Sequence, residues 1–340
     1  MKERIWIAGP CAAESREQLL TTAKQLVEQA TVANLNLHYF RAGAWKMRSA
    51  PDSFTGAGDV ALSWLQEVQQ SVGVPVCVEV MNAQQVELCT KHDIRAFWVG
   101  ARTTVNPVEV QQIADAVRHT DFTVMVKNPI VPDLKLWMGN VERFLNADVA
   151  SVMAVHRGFT DAQENIFRNA PMWQIPIELK VRIPELPILC DPSHLCGQVR
   201  WISEVAQLAM NYGFNGLMTE CHHNPSQALS DAEQQMTPAE WAEMISHLDL
   251  RSDIANLELV KQRTILENID NQLSELLYQR MMTVDEIAGI KRKDHIAVVQ
   301  PQQWQQVVKR YQKHTEDTLY QEFLEQFLEL LHQTSIKRQN

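Results

Sequence analysis

Three cations lie close together in the stretch 40–48, where Arg41, Lys46 and Arg48 follow the strand-like run 37–40. Arginine presents a planar fork to a carboxylate or a phosphate, and lysine is a point charge that can also move a proton. Because the chain as a whole has a net charge of −10, this cluster is not part of a generally basic surface. It predicts a loop that binds anionic groups, with a solvated basic loop as the alternative.

Other chemically active side chains follow further short apolar runs, at 5–8, 96–99, 123–126, 149–155, 188–190 and 216–219. With 37–40 and 74–80, these runs predict eight strands, most of them followed by a helical pattern. Eight such units in a segment of this length are typical of a closed parallel barrel, and a doubly wound open sheet is the alternative. The loops after barrel strands open on one face, so we expect the side chains to converge over one mouth. These side chains are Cys11, Arg102, Lys127, His156, Arg157, Asp191, His194 and Glu220.

A mixed sulfur, nitrogen and oxygen donor set is present in the same part of the chain, consisting of Cys11, His194, Glu220 and Asp231. Such a set suits a divalent transition metal better than Mg²⁺ or Ca²⁺. The four residues are scattered along the sequence, so spacing alone leaves open that each is a buried cysteine or a capping carboxylate.

Glycine and proline divide the chain in two, because only Gly289 and Pro301 lie beyond residue 250. We therefore predict an α/β barrel at 1–245, a linker at 246–253 and a small all-α domain of three helices at 254–340. The run 252–294 reads as one long helix whose apolar stripe needs partner helices, which we expect from a second chain.

Two cations share that apolar stripe, which runs through Leu273, Leu276, Arg280, Val284, Ile287 and Lys291. Unpaired buried cations are costly, so we expect them to meet an anionic ligand or a carboxylate such as Asp270. The alternative is a stripe that drifts, so that both cations extend into water.

Composition excludes several classes of protein. The acidic balance does not suit a nucleic-acid or anionic-membrane binder, and no segment is apolar enough to span a bilayer. Six irregularly spaced cysteines indicate reduced thiols, and we expect a cytosolic protein. Strand-like sequence begins at Ile5, so we expect no leader and no regulatory domain ahead of the barrel.

Six motifs of the first 250 residues together resemble the Iβ class of 3-deoxy-D-arabino-heptulosonate 7-phosphate (DAHP) synthases. The resemblance implies a TIM barrel that condenses phosphoenolpyruvate with erythrose 4-phosphate with the help of a divalent metal. The motifs are Gly-Pro-Cys-Ala-Ala-Glu-Ser at 9–15, Phe-Arg-Ala-Gly-Ala-Trp-Lys-Met-Arg at 40–48, Val-Gly-Ala-Arg at 99–102, His-Arg-Gly at 156–158, Asp-Pro-Ser-His at 191–194 and Ala-Leu-Ser-Asp at 228–231.

The same resemblance assigns a role to each candidate residue. Lys46 would donate a proton to the aldehyde oxygen, and Asp191 with the metal would position that aldehyde. Arg48 and Ser49 would bind the phosphate of erythrose 4-phosphate. The phosphoenolpyruvate site would comprise Arg41, Ala101, Arg102, Lys127 and Arg157, and the metal, Mn²⁺ first with Zn²⁺, Fe²⁺ or Co²⁺ as alternatives, would be held by Cys11, His194, Glu220 and Asp231.

The loop at 46–49 departs from the family pattern, since Lys-Met-Arg-Ser stands where Lys-Pro-Arg-Thr is common. Losing the rigid proline is expected to loosen the sugar-phosphate site. The sister enzymes that use arabinose 5-phosphate usually carry Lys-Ala-Asn there, so Arg48 favours the four-carbon sugar.

The segment 251–340 resembles the all-helical chorismate mutases, which convert chorismate to prephenate. Lys291 and Gln339 would meet the ether oxygen of the substrate, and Arg263 would reach into the partner subunit's site of a homodimer or a dimer of dimers. The residues at matching offsets are Arg263, Asp270, Arg280, Lys291, Ser335 and Gln339.

One departure bears on the helical segment: Gln303-Trp304 stands where the family usually has an arginine, often followed by glutamate. An alternative to mutase activity is therefore a dimerisation and ligand-sensing module. We hypothesise that prephenate or chorismate bound there slows the condensation in the barrel. The pattern assigns no role to His156, Cys221 or His223.

Overall fold

The computed structural model describes residues 4–47, 53–161, 166–250, 257–311 and 317–339. The chain divides into two compact units, Met1–Asp253 and Ile254–Asn340. The predicted linker, 246–253, begins at the end of a helix and continues into residues outside the described ranges. Each unit is described by itself below.

The first unit is a closed barrel of eight parallel strands in which each strand pairs with the next and β8 pairs with β1. This confirms the predicted barrel and excludes the open sheet. The predicted runs match the strands to within about two residues, because most of them are short and apolar. The strands are β1 Ile5–Gly9, β2 Leu37–Ala42, β3 Val76–Val80, β4 Ala96–Val99, β5 Thr123–Lys127, β6 Ser151–His156, β7 Ile188–Cys190 and β8 Gly216–Glu220.

Helices follow every strand and cover the outside of the barrel. Polar side chains fix where several of them begin: Ser15 caps α1, Asn106 caps α4 ahead of a proline, and Thr237 with Glu240 forms a capping box on α9. The helices are α1 Arg16–Val32, α2 Val60–Val72, α3 Ala83–Lys91, α4 Pro107–Ala116, α5 Leu134–Asn146, α6 Gln174–Arg182, α7 Pro192–Cys196, α8 Ile202–Asn211 and α9 Pro238–Ser246.

Alternation along the strands produces two cores. Inward residues such as Ile7, Trp98 and Met125 fill the barrel, whereas outward residues such as Phe97 and Val124 pack against the helices. All six cysteines fall within the described residues, and all are free and buried. Because the barrel interior is filled, any ligand must bind above it, at the ends of the strands.

The second unit consists of three helices, α10 Leu257–Lys293, α11 Pro301–Tyr311 and α12 Thr318–Gln339. The carboxyl-terminal half of α10 packs against α12 and buries Val284 and Ala288. Its amino-terminal half keeps large apolar side chains exposed, among them Leu266, Ile269 and Leu273. Within one chain the predicted apolar stripe is therefore only partly covered. Across the described helices, none is both long and apolar enough to cross a membrane.

Candidate active site

A polar cavity of about 440 Å³ opens at the carboxyl ends of the strands. It brings together predicted residues from widely separated loops, including four cations, which suits a ligand with several anionic groups. Arg48 and Ser49, predicted for the same mouth, lie outside the described residues. The predicted residues that line this mouth cavity are Lys46, Ala101, Arg102, Lys127, Arg157, His194 and Asp231.

A completely buried ion pair lies at the ends of β2 and β8, where Arg41 Nη2 is 2.9 Å from Glu220 Oε1. The guanidinium of Arg41 also lies 4.8 Å from the ring centroid of Trp98. Burial raises the pKa of Glu220, but His194 and Arg41 outweigh it and hold the pKa below its usual value. Arg41 therefore keeps a carboxylate ionised in a place from which water is excluded.

Asp191 joins a lysine to a histidine. Its Oδ2 accepts a hydrogen bond from Lys127 Nζ at 2.7 Å and lies 2.7 Å from His194 Nδ1, while Oδ1 caps α7 by accepting from the backbone N–H of His194 at 3.0 Å. Burial raises the pKa of Asp191, yet His194 and Lys127 hold it well below its usual value. The ionised carboxylate thus fixes the ammonium group of Lys127 in the wall of the mouth cavity.

Lys46 is held by the backbone rather than by a carboxylate, since its Nζ donates to the carbonyl of Cys11 at 2.8 Å. A Cβ at Gly43 would lie 2.7 Å from Lys46 Cδ, so only glycine leaves room for this side chain. Burial lowers the pKa of Lys46, but the neighbouring groups of Cys11 and Glu220 outweigh burial and raise the pKa above its usual value. Lys46 is therefore protonated at neutral pH and has a proton to give.

The predicted metal ligands lie at the same mouth as two pairs. Cys11 Sγ is 3.1 Å from Asp231 Oδ2, and His194 Nε2 is 3.6 Å from Glu220 Oε1. Within the described ranges, no group of three or more His, Cys, Asp or Glu side chains is compact enough to hold an ion as it stands. Each carboxylate instead forms an ion pair with an arginine, Glu220 with Arg41 and Asp231 with Arg168. The donor types fit a divalent transition metal, and the two pairs would have to close on it.

Arg157 is the most buried of the cavity arginines. Its backbone N–H donates to Asn128 Oδ1 at 2.7 Å, and its Nη1 donates to Asn169 Oδ1 at 2.6 Å. Burial lowers the pKa of Arg157 to about 10; Asp191 opposes this shift, and the nearby cations Arg168 and Arg102 add to it. A dianion among these three guanidinium groups would relieve their mutual repulsion.

Several residues of the site were not anticipated from the sequence. Glu79, in β3, and Arg168 line the mouth cavity. Asn169 donates to the carbonyl of His194 at 2.6 Å, and Gln234 donates to Glu220 Oε2 at 2.6 Å. Glu79 lies near the carboxyl end of a predicted strand, as the other site residues do, so its position in the sequence could have identified it as a site residue. Arg168 and Asn169 follow no strand.

The expectation that His156 faces the mouth is wrong. His156 is completely buried on the outward side of β6, with its ring 5.2 Å from that of Trp173 and 5.7 Å from that of Phe159. Burial lowers its pKa to about 3, so the ring is neutral. The two-residue period of the strand explains the error, since His156 and Arg157 must point to opposite sides.

Cys221 and His223, which had no assigned role, also lie away from the mouth cavity. The Cys221 thiol is part of the core between barrel and helices, and burial raises its pKa well above the usual value, outside the range of a reactive thiol. His223 Nδ1 lies 3.1 Å from Thr22 Oγ1 on α1.

The helical unit brings together part of its predicted site. Arg280 Nη1 donates to Ser335 Oγ at 2.9 Å, and Lys291 Nζ donates to the carbonyl of Val298 at 2.7 Å. The observed partners of these cations are therefore neutral oxygens and not Asp270. Gln339 Oε1 is buried without a hydrogen-bond partner within the described residues. Arg263 is exposed, about 25 Å along α10 from Arg280 at 1.5 Å per residue, so it cannot complete this site in its own chain.

The helical unit has a cavity of about 580 Å³ between α11 and α12. Trp304 lines it and stacks on His332, with ring centroids 4.0 Å apart. The tryptophan at the position of the usual acidic residue is thus packed as an aromatic wall. Gln303 is exposed on α11.

Comparison with protein families gives two matches. Residues 2–254 match the model of the family described as DAHP synthetase I family. Residues 262–340 match chorismate mutase type II. The first match spans the barrel unit and the second nearly all of the helical unit.

Among curated proteins, the chain is similar to phospho-2-dehydro-3-deoxyheptonate aldolase of Thermotoga maritima, with 26% identity over 254 residues that cover 74% of this chain and 71% of the relative. It is also similar to 2-dehydro-3-deoxyphosphooctonate aldolase of Bordetella petrii, with 28% identity over 251 residues that cover 66% of this chain and 82% of the relative. The crystal structure of the Thermotoga maritima enzyme superimposes with a TM-score of 0.62 at 26% identity, covering 72% of this chain and 68% of that chain.

Proposed function

We propose that this chain, which belongs to the DAHP synthetase I family and ends in a chorismate mutase type II domain, condenses phosphoenolpyruvate with erythrose 4-phosphate in its barrel. The observation that carries this proposal is the mouth cavity, where Lys46, Arg102, Lys127 and Arg157 surround one polar space beside the four metal-ligand candidates. Two anionic substrates need such a set of cations if they are to meet without repelling each other.

Phosphoenolpyruvate binding would fall to Arg102, Lys127 and Arg157, with Ala101 beside them and Arg41 supporting from below. Arginine forks take the phosphate and the carboxylate, and Lys127 adds a charge held in place by Asp191. Asn128 and Asn169 fix Arg157 from two sides. The guanidinium is therefore positioned before the substrate arrives, which lowers the cost of ordering it on binding.

The proposed metal, Mn²⁺ first with Zn²⁺, Fe²⁺ or Co²⁺ as alternatives, would be held by Cys11, His194, Glu220 and Asp231. When bound, it supplies Lewis acidity toward the aldehyde oxygen of the sugar phosphate. Burial raises the pKa of the Cys11 thiol to about 12, so the thiol proton has to leave when sulfur becomes a ligand.

Proton transfer is the task we assign to Lys46. As the enol carbon attacks the aldehyde, negative charge develops on the aldehyde oxygen, and the ammonium group of Lys46 is placed to donate a proton to it. The attack leaves C2 of phosphoenolpyruvate electron-poor. Water then adds to C2 and loses one proton to Glu79, a carboxylate that lines the same cavity. The C2–O bond to the phosphate then breaks, the C2 hydroxyl becomes the ketone, and its proton leaves with the inorganic phosphate.

The choice of sugar phosphate rests on the residue at position 48. Relatives include enzymes named for a seven-carbon and for an eight-carbon product. Arg48 and Ser49 would bind the phosphate of erythrose 4-phosphate, and both lie outside the described residues. We assign the four-carbon sugar because an arginine stands at position 48.

For the helical domain we propose the rearrangement of chorismate to prephenate. Arg280, Lys291, Ser335 and Gln339 supply the cations and donors, and the buried unpartnered Oε1 of Gln339 marks a polar group that still needs a partner. Arg263 would come from a second copy, consistent with the exposed apolar stripe on α10. We therefore propose a homodimer or a dimer of dimers.

Arg280→Ala is expected to lower chorismate turnover by the full-length enzyme at least about a hundredfold, because one charged partner of a dianion is worth 2–5 kcal/mol. Condensation in the barrel is expected to stay unchanged. Arg292→Ala, at an exposed position of the same helix, is the matched control and should leave both activities intact. A wild type without chorismate turnover would favour the alternative, in which the helical domain only dimerises and senses ligand.

Regulation is proposed to use the helical domain as its sensor, with prephenate or chorismate as the ligand and slower condensation as the result. Coupling of this kind is reciprocal for binding, so phosphoenolpyruvate and prephenate should weaken each other equally. The test compares prephenate inhibition of the full-length enzyme with that of a chain ending near Ser246. Equal inhibition of both would remove the helical domain from this role.

We also propose a cytoplasmic location, because six buried free thiols suit a reducing compartment.

A further inference from the structure

Arg168 holds the carboxylate of Asp231 at the edge of the mouth cavity. Its Nη1 lies 3.0 Å from Asp231 Oδ1, and Cys11 Sγ lies 3.1 Å from the other oxygen, Oδ2. Burial raises the pKa of Asp231, but Arg168 and the hydrogen bond from Cys11 lower it far more. The carboxylate is ionised, and its charge is shared with a guanidinium group.

The same nitrogen of Arg168 reaches a second metal-ligand candidate through an amide. Arg168 Nη1 donates to Gln234 Oε1 at 2.7 Å, and Gln234 Nε2 donates to Glu220 Oε2 at 2.6 Å. Gln234 and Glu220 are buried. One guanidinium therefore connects two of the four candidate ligands.

The backbone of Arg168 is fixed, whereas its side chain is half-exposed. Its N–H donates to the carbonyl of Cys196 at 3.2 Å, and its Cβ is so close to Gly197 that a Cβ there would approach within 2.6 Å. The side chain is 46% exposed and lines the mouth cavity beside Arg102 and Arg157. A fixed backbone with a solvent-accessible guanidinium allows the charge to turn between two partners.

Arg168 also acts on the anion site electrostatically. Burial is the main reason that the pKa of Arg157 falls, Asp191 opposes the fall, and Arg168 is the cation that adds most to it. An anion bound in the cavity and the carboxylate of Asp231 thus compete for the charge of Arg168.

We propose that Arg168 is a positioning residue whose guanidinium group moves from Asp231 to the bound anion when a metal ion binds Asp231. Metal and anion would then strengthen each other's binding. The inference rests on the proposed function, in which Asp231 is a metal ligand. Arg168 contacts Asp231 Oδ1, and a metal ion held with Cys11 would take Oδ2, so both would draw on the charge of one carboxylate. Once the ion neutralises that carboxylate, the guanidinium is available to the phosphate or carboxylate in the cavity, and the gain is reciprocal by linkage.

The test uses the full-length protein stripped of metal, with calorimetry of Mn²⁺ binding in the absence and presence of phosphoenolpyruvate, and no sugar phosphate so that no turnover occurs. In the wild type, saturating phosphoenolpyruvate is expected to tighten Mn²⁺ binding by about tenfold, and Mn²⁺ to tighten phosphoenolpyruvate binding by the same factor. In Arg168→Gln that factor is expected to fall to about one. Without phosphoenolpyruvate, Mn²⁺ should bind Arg168→Gln at least as tightly as the wild type, because a competitor for Asp231 has gone.

Two further variants separate this role from a structural one. Arg168→Lys keeps a charge and should retain part of the coupling, whereas Arg200→Gln, at an exposed position outside the mouth cavity, should retain all of it. If Arg168 merely braced Asp231, Arg168→Gln would weaken Mn²⁺ binding and leave the coupling factor unchanged. That outcome overturns the inference.

Asp231→Asn distinguishes failure of the inference from failure of the proposed function. If Mn²⁺ binds Asp231→Asn as tightly as the wild type, the metal assignment and the inference both fall. If Asp231→Asn loses Mn²⁺ but Arg168→Gln keeps full coupling, only the inference falls.

Discussion

Removing divalent metal from the full-length enzyme is expected to lower phosphoenolpyruvate consumption at least about a thousandfold, equivalent to about 4 kcal/mol of transition-state stabilisation. The reason is that the aldehyde oxygen then has only the Lys46 ammonium to stabilise its developing charge. Adding Mn²⁺ back should restore the rate. The measurement is the initial rate with both substrates before and after treatment with a chelator.

Cys11→Ala is expected to weaken Mn²⁺ retention, measured as bound metal per chain after dialysis. Cys89→Ala is the matched control, since Cys89 is a buried thiol on α3, outside the mouth cavity. Equal loss of metal in both variants would mean that Cys11 acts through packing alone, and full activity in metal-free protein would refute the metal assignment.

Lys127→Met is expected to abolish condensation and to lower the free energy of unfolding of the barrel by about 3–5 kcal/mol. Lys127 and Asp191 form a pair whose side chains are 5% and 0% exposed. Methionine leaves the Asp191 carboxylate buried without its lysine, and it also removes a cation from the phosphoenolpyruvate site. Chemical denaturation and steady-state kinetics measure the two effects.

A second substitution separates the two effects. In Lys127→Met/Asp191→Asn the buried charge is gone, so much of the lost stability should return while activity stays absent. Lys135→Met, at an exposed position on α5, is the control and should change neither quantity by much. A stable and fully active Lys127→Met protein would show that the pair neither supports the fold nor binds substrate.

The barrel was predictable because its strands are defined locally. A buried parallel strand is a short apolar run, and the run 188–190, for example, is identical to β7. Positions at the ends of such runs must meet at one edge, which is why the sequence predicts that Arg102, Lys127 and Asp191 lie together. The pattern does not determine which side of the sheet each side chain faces. His156 shows this, because moving by one residue along a strand moves the side chain to the opposite side.

The second layer of the site was beyond the sequence pattern. Arg168 and Asn169 lie between β6 and α6, well beyond the end of the strand, and their partners Asp231 and His194 are remote in sequence. Gln234 is an ordinary polar residue until the fold places it on Glu220. Contacts of this kind depend on how the loops pack, which no periodicity records.

In the helical domain, periodicity predicted a long helix but not its neighbours. The predicted run 252–294 contains α10, and the resemblance to chorismate mutases assigned Arg280 and Ser335 to one site, where the structure has them in contact. The partners of the stripe cations were different from those expected, because a chain turn after α10 offers the carbonyl of Val298 to Lys291.

The most direct test of the central claim is the choice of sugar phosphate by the full-length enzyme loaded with Mn²⁺. Phosphoenolpyruvate consumption is measured with erythrose 4-phosphate and, separately, with arabinose 5-phosphate, and the product is identified by mass. We predict a seven-carbon phosphorylated product and a kcat/KM for erythrose 4-phosphate at least about a hundredfold higher than for arabinose 5-phosphate, a difference of about 2.7 kcal/mol. The account would be contradicted if only arabinose 5-phosphate supported phosphoenolpyruvate consumption, or if neither sugar phosphate supported it.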